Sequence, residues 1–165
     1  MQIQTTTYPV EIMTADYQAA GTFAPRGNPA MFINDESVQT FTLQDATFTP
    51  LMPGAHIGTV KASPLFVPKP HTHIMLIGDL KPEDALLLPK PLTLVCFTDT
   101  YAVRGTFHIG TETQPADLLT EVAGTFLAAT DAEIYSLRPL GQAISGAADL
   151  LFINKHALRG YHLAE

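Results

Sequence analysis

The sequence predicts an all-β fold with one or two short helices, built as two small five-stranded barrels in tandem. Short apolar runs of strand length alternate with turn residues along the chain. Hydrophobic residues make up 46% of the 165 residues and charged residues 15%, so the chain can bury a substantial core. An internal repeat places similar residues in the same order in both halves. The predicted boundaries are 1–79 for the first barrel, 80–91 for a linker and 92–165 for the second barrel.

The repeat becomes visible when Val10–Phe23 is placed over Leu94–Phe107. After two extra residues in the second copy, near 111–114, one register holds to the end of the chain. The matched residues are Thr14 with Thr98, Tyr17 with Tyr101, Gly21–Phe23 with Gly105–Phe107, Pro29-Ala30 with Pro115-Ala116, Asp45-Ala46 with Asp131-Ala132, Leu51 and Pro53 with Leu137 and Pro139, Leu65–Val67 with Leu151–Ile153, and Lys69 with Lys155. An ordered series in one register favours duplication over the alternative of shared strand composition. Residues matched by this register are called repeat equivalents below.

The second copy shows its elements more clearly than the first. Leu92–Phe97 is a continuous apolar run typical of a strand, and Tyr101–Ile109 alternates between two faces. Gly105 within the second of these predicts a β-bulge or a sharp bend, and its equivalent Gly21 supports a backbone role for glycine at this position. The other predicted elements are a turn at Thr98–Thr100, a short helix over Pro115–Val122, a bent strand over Phe126–Leu137 broken at Thr130-Asp131, a loop over Gly141–Ala148, a strand at Leu150–Ile153, a turn at Asn154-Lys155 and a last strand over Ala157–Leu163. Five short strands with one helical insert are typical of SH3-like or Sm-like barrels.

The first copy follows the same plan with more prolines in or near its later strands. Proline cannot donate to a strand ladder, so these positions are predicted to be edges or loops. They are Pro50, Pro53, Pro64, Pro68 and Pro70. In the linker, Pro-Glu-Asp at 82–84 predicts a short helix over Ala85–Leu88.

Four motifs of the second copy carry a resemblance to known proteins: T-D-x-Y-x-V-x-G-T-F-H, A-D-L-L, F-L-x-x-T-D-A and L-F-I-N-K. Together they resemble a family of small bacterial β-rich domains of unassigned function, over nearly all of Leu92–Glu165 and more weakly over the first copy. The order of elements is also similar to that of Sm-like proteins, which form rings by pairing edge strands. That resemblance implies a homo-oligomer, with three chains forming a pseudo-sixfold ring as one arrangement. The Asp and Asn that Sm-like proteins use to bind uridine are not recognisable here, so RNA binding is not implied.

Charge and cysteine content narrow the choice of function. The formal net charge is −7 and the nine Lys and Arg residues do not cluster, which disfavours nucleic acid as a partner. Cys96 is the only cysteine, so neither an intramolecular disulfide nor a cysteine-based zinc site is expected, in keeping with a reducing compartment. Met1–Tyr8 lacks the features of a signal peptide, and no apolar stretch approaches the roughly 18 residues of a membrane helix. We therefore expect a soluble, cytoplasmic protein without a cofactor.

His71 and His73 are the only candidates for a metal site. Two residues apart on a strand they would share a face, and His56 or Asp79 would be needed as a third ligand. Their repeat equivalents, Ala157 and Arg159, are not a ligand pair. An exposed turn or strand edge is therefore the favoured interpretation, and no metal is predicted.

Other polar residues are predicted to have structural roles. His108, His156 and His162 are interpreted as half-buried histidines bonded to the backbone, and Cys96 as a buried, inert thiol. Asp45 and Asp131 are expected to fix a bend through bonds from their side chains to nearby backbone.

Tyr17, Tyr101, Arg104 and His108 form the candidate binding surface. For the two tyrosines the favoured interpretation is a packing ring whose hydroxyl is tied to a turn. The favoured function is a non-enzymatic interaction or assembly module whose partner is a second copy of the chain. The alternatives left open are a small-ligand or peptide-binding regulatory module, Sm-like binding of single-stranded RNA, and a metal-dependent enzyme using His71 and His73.

Overall fold

A computed structural model describes residues 5–164, which are mostly β and form one antiparallel sheet of eleven strands with a few short helices. The first-half strands are β1 (Tyr8–Met13), β2 (Tyr17–Phe23), β3 (Thr40–Pro50), β4 (Val60–Ala62), β5 (Leu65–Pro68) and β6 (Ile74–Ile77). The second-half strands are β7 (Lys90–Phe97), β8 (Tyr101–Ile109), β9 (Phe126–Ser136), β10 (Ala147–Asn154) and β11 (Gly160–Leu163). The strand predicted at Tyr101–Ile109 is confirmed at both ends, and β7 starts two residues before the predicted Leu92.

The helices are short, and several begin at a proline. They are α1 (Pro29–Asn34) and α2 (Leu118–Glu121), with 3-10 turns at Lys69–His71, Pro82–Asp84, Pro115–Asp117 and Lys155–Ala157. Asn28 caps α1 by accepting hydrogen bonds from the backbone of Ala30 and Met31. The helix predicted over Pro115–Val122 is confirmed as a 3-10 turn followed by α2. Within residues 5–164, every helix is too short or too polar to cross a bilayer.

The helix predicted over Ala85–Leu88 is wrong, because the helical turn lies earlier, at Pro82–Asp84. Proline fixes a helical φ at the first position of that turn. Leu86 then has a φ of +56°, in the left-handed region, so the backbone cannot continue as a right-handed helix.

Strands in the two halves have corresponding neighbours. In the first half β1 lies between β6 and β2, β2 pairs with β3, and β3 pairs with β5. In the second half β7 lies between β11 and β8, β8 pairs with β9, and β9 pairs with β10. The halves are joined because β10 also pairs with β6.

The expectation of two separate five-stranded barrels is not met in that form, because hydrogen bonding between β6 and β10 makes one sheet of the two halves. Within residues 5–164 neither half closes on itself, since β6 does not pair with β5 and β11 does not pair with β10. The first half also has six strands instead of five. Two short strands, β4 and β5, pair with β3 there, whereas in the second half the single strand β10 pairs with β9. Pro64 lies between β4 and β5 and Pro68 ends β5, which confirms the predicted edge and loop positions of these prolines.

The bulge or bend predicted at Gly105 is present as a register shift, and its equivalent Gly21 has one too. The pairing of β2 with β3 shifts register between Ala20 and Thr22, and that of β8 with β9 shifts between Arg104 and Thr106. A Cβ atom on Gly21 would lie 2.9 Å from the carbonyl oxygen of Gln44, and one on Gly105 would lie 3.2 Å from the Cβ of Ala132. Glycine is therefore required at Gly21 by the closeness of the neighbouring backbone.

A bend opposite each bulge comes from the backbone of Asp45 and Asp131. Their φ angles are +48° and +50°, a left-handed conformation that Asp adopts more readily than most residues. The prediction that the carboxylates of Asp45 and Asp131 bond to nearby backbone is wrong among residues 5–164. Instead the backbone N–H of Asp45 donates to the Ser63 hydroxyl at 2.8 Å.

The core consists of two clusters, and each half contributes to the core of the other. The cluster of the second half includes Met13, Leu51 and Ile74 from the first half. The cluster of the first half includes Phe126, Leu150 and Phe152 from the second half. The two halves therefore stabilise each other through buried apolar side chains as well as through the β6–β10 pairing.

Candidate interaction surface

The contact between the halves centres on β6 and β10, and we call it the seam. Phe152 lies opposite Met75 and Ile153 opposite Ile74, and all four side chains are at most 1% exposed. The ladder continues beyond these pairs, since the backbone N–H of Asn154 donates to the carbonyl oxygen of His73 at 2.8 Å. The seam thus combines backbone hydrogen bonds with fully buried apolar side chains.

Asn154 is a buried polar residue at the end of this ladder, with 1% of its surface exposed. Its side-chain Nδ2 donates to the carbonyl oxygen of Thr72 in the other half at 3.0 Å. Its Oδ1 accepts from the backbone N–H of His156 at 2.9 Å. Because both ends of the amide have partners, its burial is compensated, and it ties the Lys155–Ala157 turn to the first half.

Asn34, at the end of α1, makes the second polar contact across the seam. Its Oδ1 accepts from the backbone N–H groups of Thr125 and Phe126 at 2.9 and 2.8 Å. Its Nδ2 donates to the carbonyl oxygen of Ala30 within α1 at 3.0 Å. One side chain thus fixes the end of α1 against the start of β9.

Tyr101 is fully buried at the seam, and its hydroxyl donates to the carbonyl oxygen of Thr14 at 2.7 Å. The ring lies perpendicular to that of His73, with centroids 6.3 Å apart, and burial raises the pKa of the Tyr101 hydroxyl. The predicted bond to a turn is present, but the turn belongs to the other half. At 0% exposure Tyr101 belongs to the seam and not to an exposed binding surface.

The other three residues of the candidate binding surface lie outside the seam ladder. Tyr17 is half-buried, and its ring centroid lies 4.4 Å from that of Phe48. Arg104 is exposed on β8, opposite Glu133 of β9. His108 is half-buried with its Nε2 2.8 Å from the Thr130 hydroxyl, and burial lowers its pKa. The hydrogen bond of His108 is therefore to a side chain and not, as predicted, to the backbone.

His156 and His162 are exposed, so the half-buried positions predicted for them are wrong. The Nδ1 of His162 lies 2.8 Å from the carbonyl oxygen of Leu163. Cys96 is buried as predicted, and burial raises the pKa of its thiol to about 12. Its thiolate, the reactive form, is therefore negligible near neutral pH.

His71 and His73 do not share a strand. His71 is exposed and ends the 3-10 turn that begins at Lys69, and β6 starts only at Ile74. His73 is half-buried in the seam, and its Nδ1 is buried without a hydrogen-bond partner. Among residues 5–164 no three His, Cys, Asp or Glu side chains are grouped closely enough to hold a metal.

A pH dependence follows from the environment of His73. Burial lowers its pKa and Arg159 and His71 act in the same direction, while Asp99 and Asp16 oppose the shift. Below the ordinary histidine pKa of about 6.5 the unfolded chain takes up a proton that the folded chain resists, so stability falls as the pH drops from 7 towards the folded pKa. We expect the urea midpoint of the wild type to fall more between pH 7 and 5 than that of His73→Leu. An equal fall in both proteins would contradict this role of His73.

A groove of about 620 Å³ crosses the seam and is lined by Lys69, Lys155 and His156 among others. Lys69 donates to the carbonyl oxygen of Asp35 at 2.9 Å, and Lys155 donates to that of Val122 at 2.6 Å. These carbonyl groups belong to the residues that end α1 and α2. The two equivalent lysines therefore stabilise helix ends, where a positive charge is favourable.

The outermost strands present free edges. In the part of the chain that the structure describes, β11 pairs only with β7, and β5 pairs only with β3. Phe66 on β5 is 61% exposed, whereas its repeat equivalent Phe152 on β10 is 1% exposed. Leu137 is likewise 49% exposed, whereas its equivalent Leu51 is 1% exposed. The outer surfaces thus expose apolar side chains whose equivalents the seam buries.

The sequence alone did not indicate the roles of Asn34 and Asn154 at the seam.

No protein-family model, curated protein or solved structure matches this chain. The resemblance to small bacterial domains and to Sm-like proteins therefore stays a prediction. What the protein does has to be inferred from the seam and from the free edges of β5 and β11.

Proposed function

We propose that this protein is a non-enzymatic assembly module whose copies associate head to tail. In this association the β5 edge of one copy pairs with the β11 edge of the next, as β10 pairs with β6 within the chain. The observation that carries the proposal is the contrast between Phe66, 61% exposed on a free edge, and Phe152, 1% exposed at the seam. A strand edge with unpaired backbone groups and an exposed aromatic side chain is a template for another strand.

The seam supplies the register for the contact between copies. Phe152 lies opposite Met75 within the chain, so the repeat register places Phe66 opposite Tyr161 of the next copy. The same register maps the Ile153–Ile74 pair onto Val67 and Gly160 of the next copy. Leu137, at 49% exposure, would then be buried by the neighbour as Leu51 is buried by the second half.

The proposal includes the duplication and the Sm-like character of each half. It is supported by the corresponding strand neighbours in residues 8–77 and 90–163. Each half is then one open, barrel-like unit that uses its last strand to meet the neighbouring unit. The interface is heterologous, so it generates a closed ring or a filament, and three chains give a pseudo-sixfold ring.

The contact between copies is expected to be weaker than the seam. Pro68 holds the position equivalent to Asn154 and has no N–H, so it cannot repeat the bond that Asn154 makes to His73. It also lacks the amide that reaches Thr72. Such an interface can form and dissociate while the chain itself remains folded.

Phe66→Glu is expected to abolish the association, because it places a charge where an apolar side chain should be buried. In size-exclusion chromatography with light scattering at micromolar concentration, we expect the wild type at a multiple of 17.8 kDa and the variant at 17.8 kDa. Ile57→Glu is the matched control, since Ile57 is 58% exposed but lies in a loop, and it should keep the wild-type mass. A monomeric wild type, or a Phe66→Glu variant with the mass of the wild type, would overturn the proposal.

A further inference from the structure

The first half has an open groove of about 810 Å³ beside α1. Its floor includes Ala24 after β2 and Thr40 and Thr42 at the start of β3, and its rim includes Arg26 and Ser37. Arg26 is exposed.

A smaller cavity of about 240 Å³ lies at the seam, in the corresponding place on the second half. Four of its residues, His108, Ala123, Phe126 and Ala128, are the repeat equivalents of Ala24, Ser37, Thr40 and Thr42 in the open groove. The other side of the seam cavity is formed by α1 residues Ala30, Met31 and Asn34 together with linker residues 85–88. The same surface is thus covered by a helix at the seam and open on the outside of the first half.

We propose that the open groove receives the helical segment 115–121 of the next copy, as α1 covers the seam cavity within the chain. This inference rests on the proposed head-to-tail association and names the second element that takes part in it. The repeat equivalents of Ala30, Met31 and Asn34 are Ala116, Asp117 and Thr120, and all three are exposed.

Thr120 takes the position of Asn34 in this contact. At the seam the Oδ1 of Asn34 accepts from the backbone N–H groups of Thr125 and Phe126. Their equivalents are Gln39 and Thr40, which line the open groove. The hydroxyl oxygen of Thr120 can accept from the same backbone groups, since a hydroxyl carries two acceptor lone pairs.

A cation in the groove can pair with the same segment. The segment 115–121 carries the exposed carboxylates of Asp117 and Glu121, and the rim of the groove carries Arg26. Asp35 also lines the groove, but its carboxylate accepts bonds from the Ser37 backbone and hydroxyl at 2.8 and 2.7 Å. These bonds lower the pKa of Asp35, so its carboxylate stays ionised and engaged with Ser37, and Arg26 is the cation in the groove lining that can pair with Asp117 or Glu121.

Disulfide cross-linking of the full chain tests the groove. We expect the double variant Gln39→Cys with Thr120→Cys to form linked dimers and larger species on a non-reducing gel after mild oxidation. The matched control pairs Ile57→Cys with Thr120→Cys, which should give at most a tenth of that product, because Ile57 lies in a loop and does not line the groove. Cys96 can stay in place, since it is fully buried.

The outcomes separate this inference from the proposed function. If the 39–120 pair forms cross-links, and these disappear when Phe66→Glu is added, the groove contact and the edge pairing are both supported. Absence of linking in a protein that associates by light scattering overturns the groove contact and leaves the edge pairing. Equal linking by the control pair would indicate random collision and also overturns the groove contact. A monomeric protein overturns both.

Discussion

Truncation of Phe152 to alanine is expected to lower the free energy of unfolding by about 3–5 kcal/mol, because it removes a buried aromatic ring from a packed cluster. Phe152 is 1% exposed, belongs to the cluster of the first half and lies opposite Met75 at the seam. Truncation of its repeat equivalent Phe66 is expected to change the same quantity by less than about 0.5 kcal/mol, because Phe66 is 61% exposed.

Urea unfolding followed by far-UV circular dichroism measures both values, and it suits a chain without tryptophan. The protein should be dilute enough to be monomeric, since association would add to the apparent stability. Phe66 and Phe152 are residues of the same type in equivalent positions of the repeat, and only the strand that carries Phe152 is covered by a strand of the other half. A similar loss for both variants would contradict the seam as the source of the difference.

Predictions from the sequence succeeded where a local pattern determines the structure. The alternation over Tyr101–Ile109 and its flanking turn predicted β8 at both ends. Glycine inside a strand pattern predicted a bulge or bend at Gly105, with the equivalent Gly21 in support, because a bulge brings the backbone of the neighbouring strand close. Proline predicted edge and loop positions because it lacks a backbone donor.

The pairing of β6 with β10 could not be predicted in the same way. Ile74–Ile77 reads as an apolar strand, and such a run indicates burial without indicating which strand edge lies beside it. The partner, Phe152-Ile153, lies far along the chain. The expectation of two separate barrels followed from assigning each strand a partner within its own half.

The sequence did not predict the roles of Asn34 and Asn154 at the seam, for a related reason. Asparagine is common in turns and at helix ends, and both Asn34 and Asn154 occupy such positions. Their decisive bonds reach residues 91 and 82 positions away, at Thr125 and Thr72. A metal site at His71 and His73 required both residues on one strand, but His71 ends a 3-10 turn and β6 begins only at Ile74, so the two side chains do not share a strand face.

The second large effect is expected for Asn34→Ala, which should lower the free energy of unfolding by about 2–3 kcal/mol because it leaves buried donors without an acceptor. Its Oδ1 is the acceptor for the backbone N–H groups of Thr125 and Phe126. Phe126 is only 4% exposed, so water cannot easily replace the lost partner. Asn34→Asp keeps an acceptor oxygen and should lie closer to the wild type than Asn34→Ala in the same urea experiment.

Asn28 provides the matched control within the same helix. Its Oδ1 also accepts two backbone bonds, from Ala30 and Met31, but both lie inside α1, and its Nδ2 makes only an exposed bond to the linker, to the carbonyl oxygen of Asp84 at 2.9 Å. Loss of such a helix cap costs about 1 kcal/mol, so Asn28→Ala should be clearly less damaging than Asn34→Ala. The extra loss in free energy of unfolding for Asn34→Ala over Asn28→Ala measures how strongly α1 is held across the seam. That contact is the one that segment 115–121 is proposed to repeat between copies. Equal losses for the two variants would mean that α1 contributes only its own helical stability, and that the seam depends on its strands and apolar side chains.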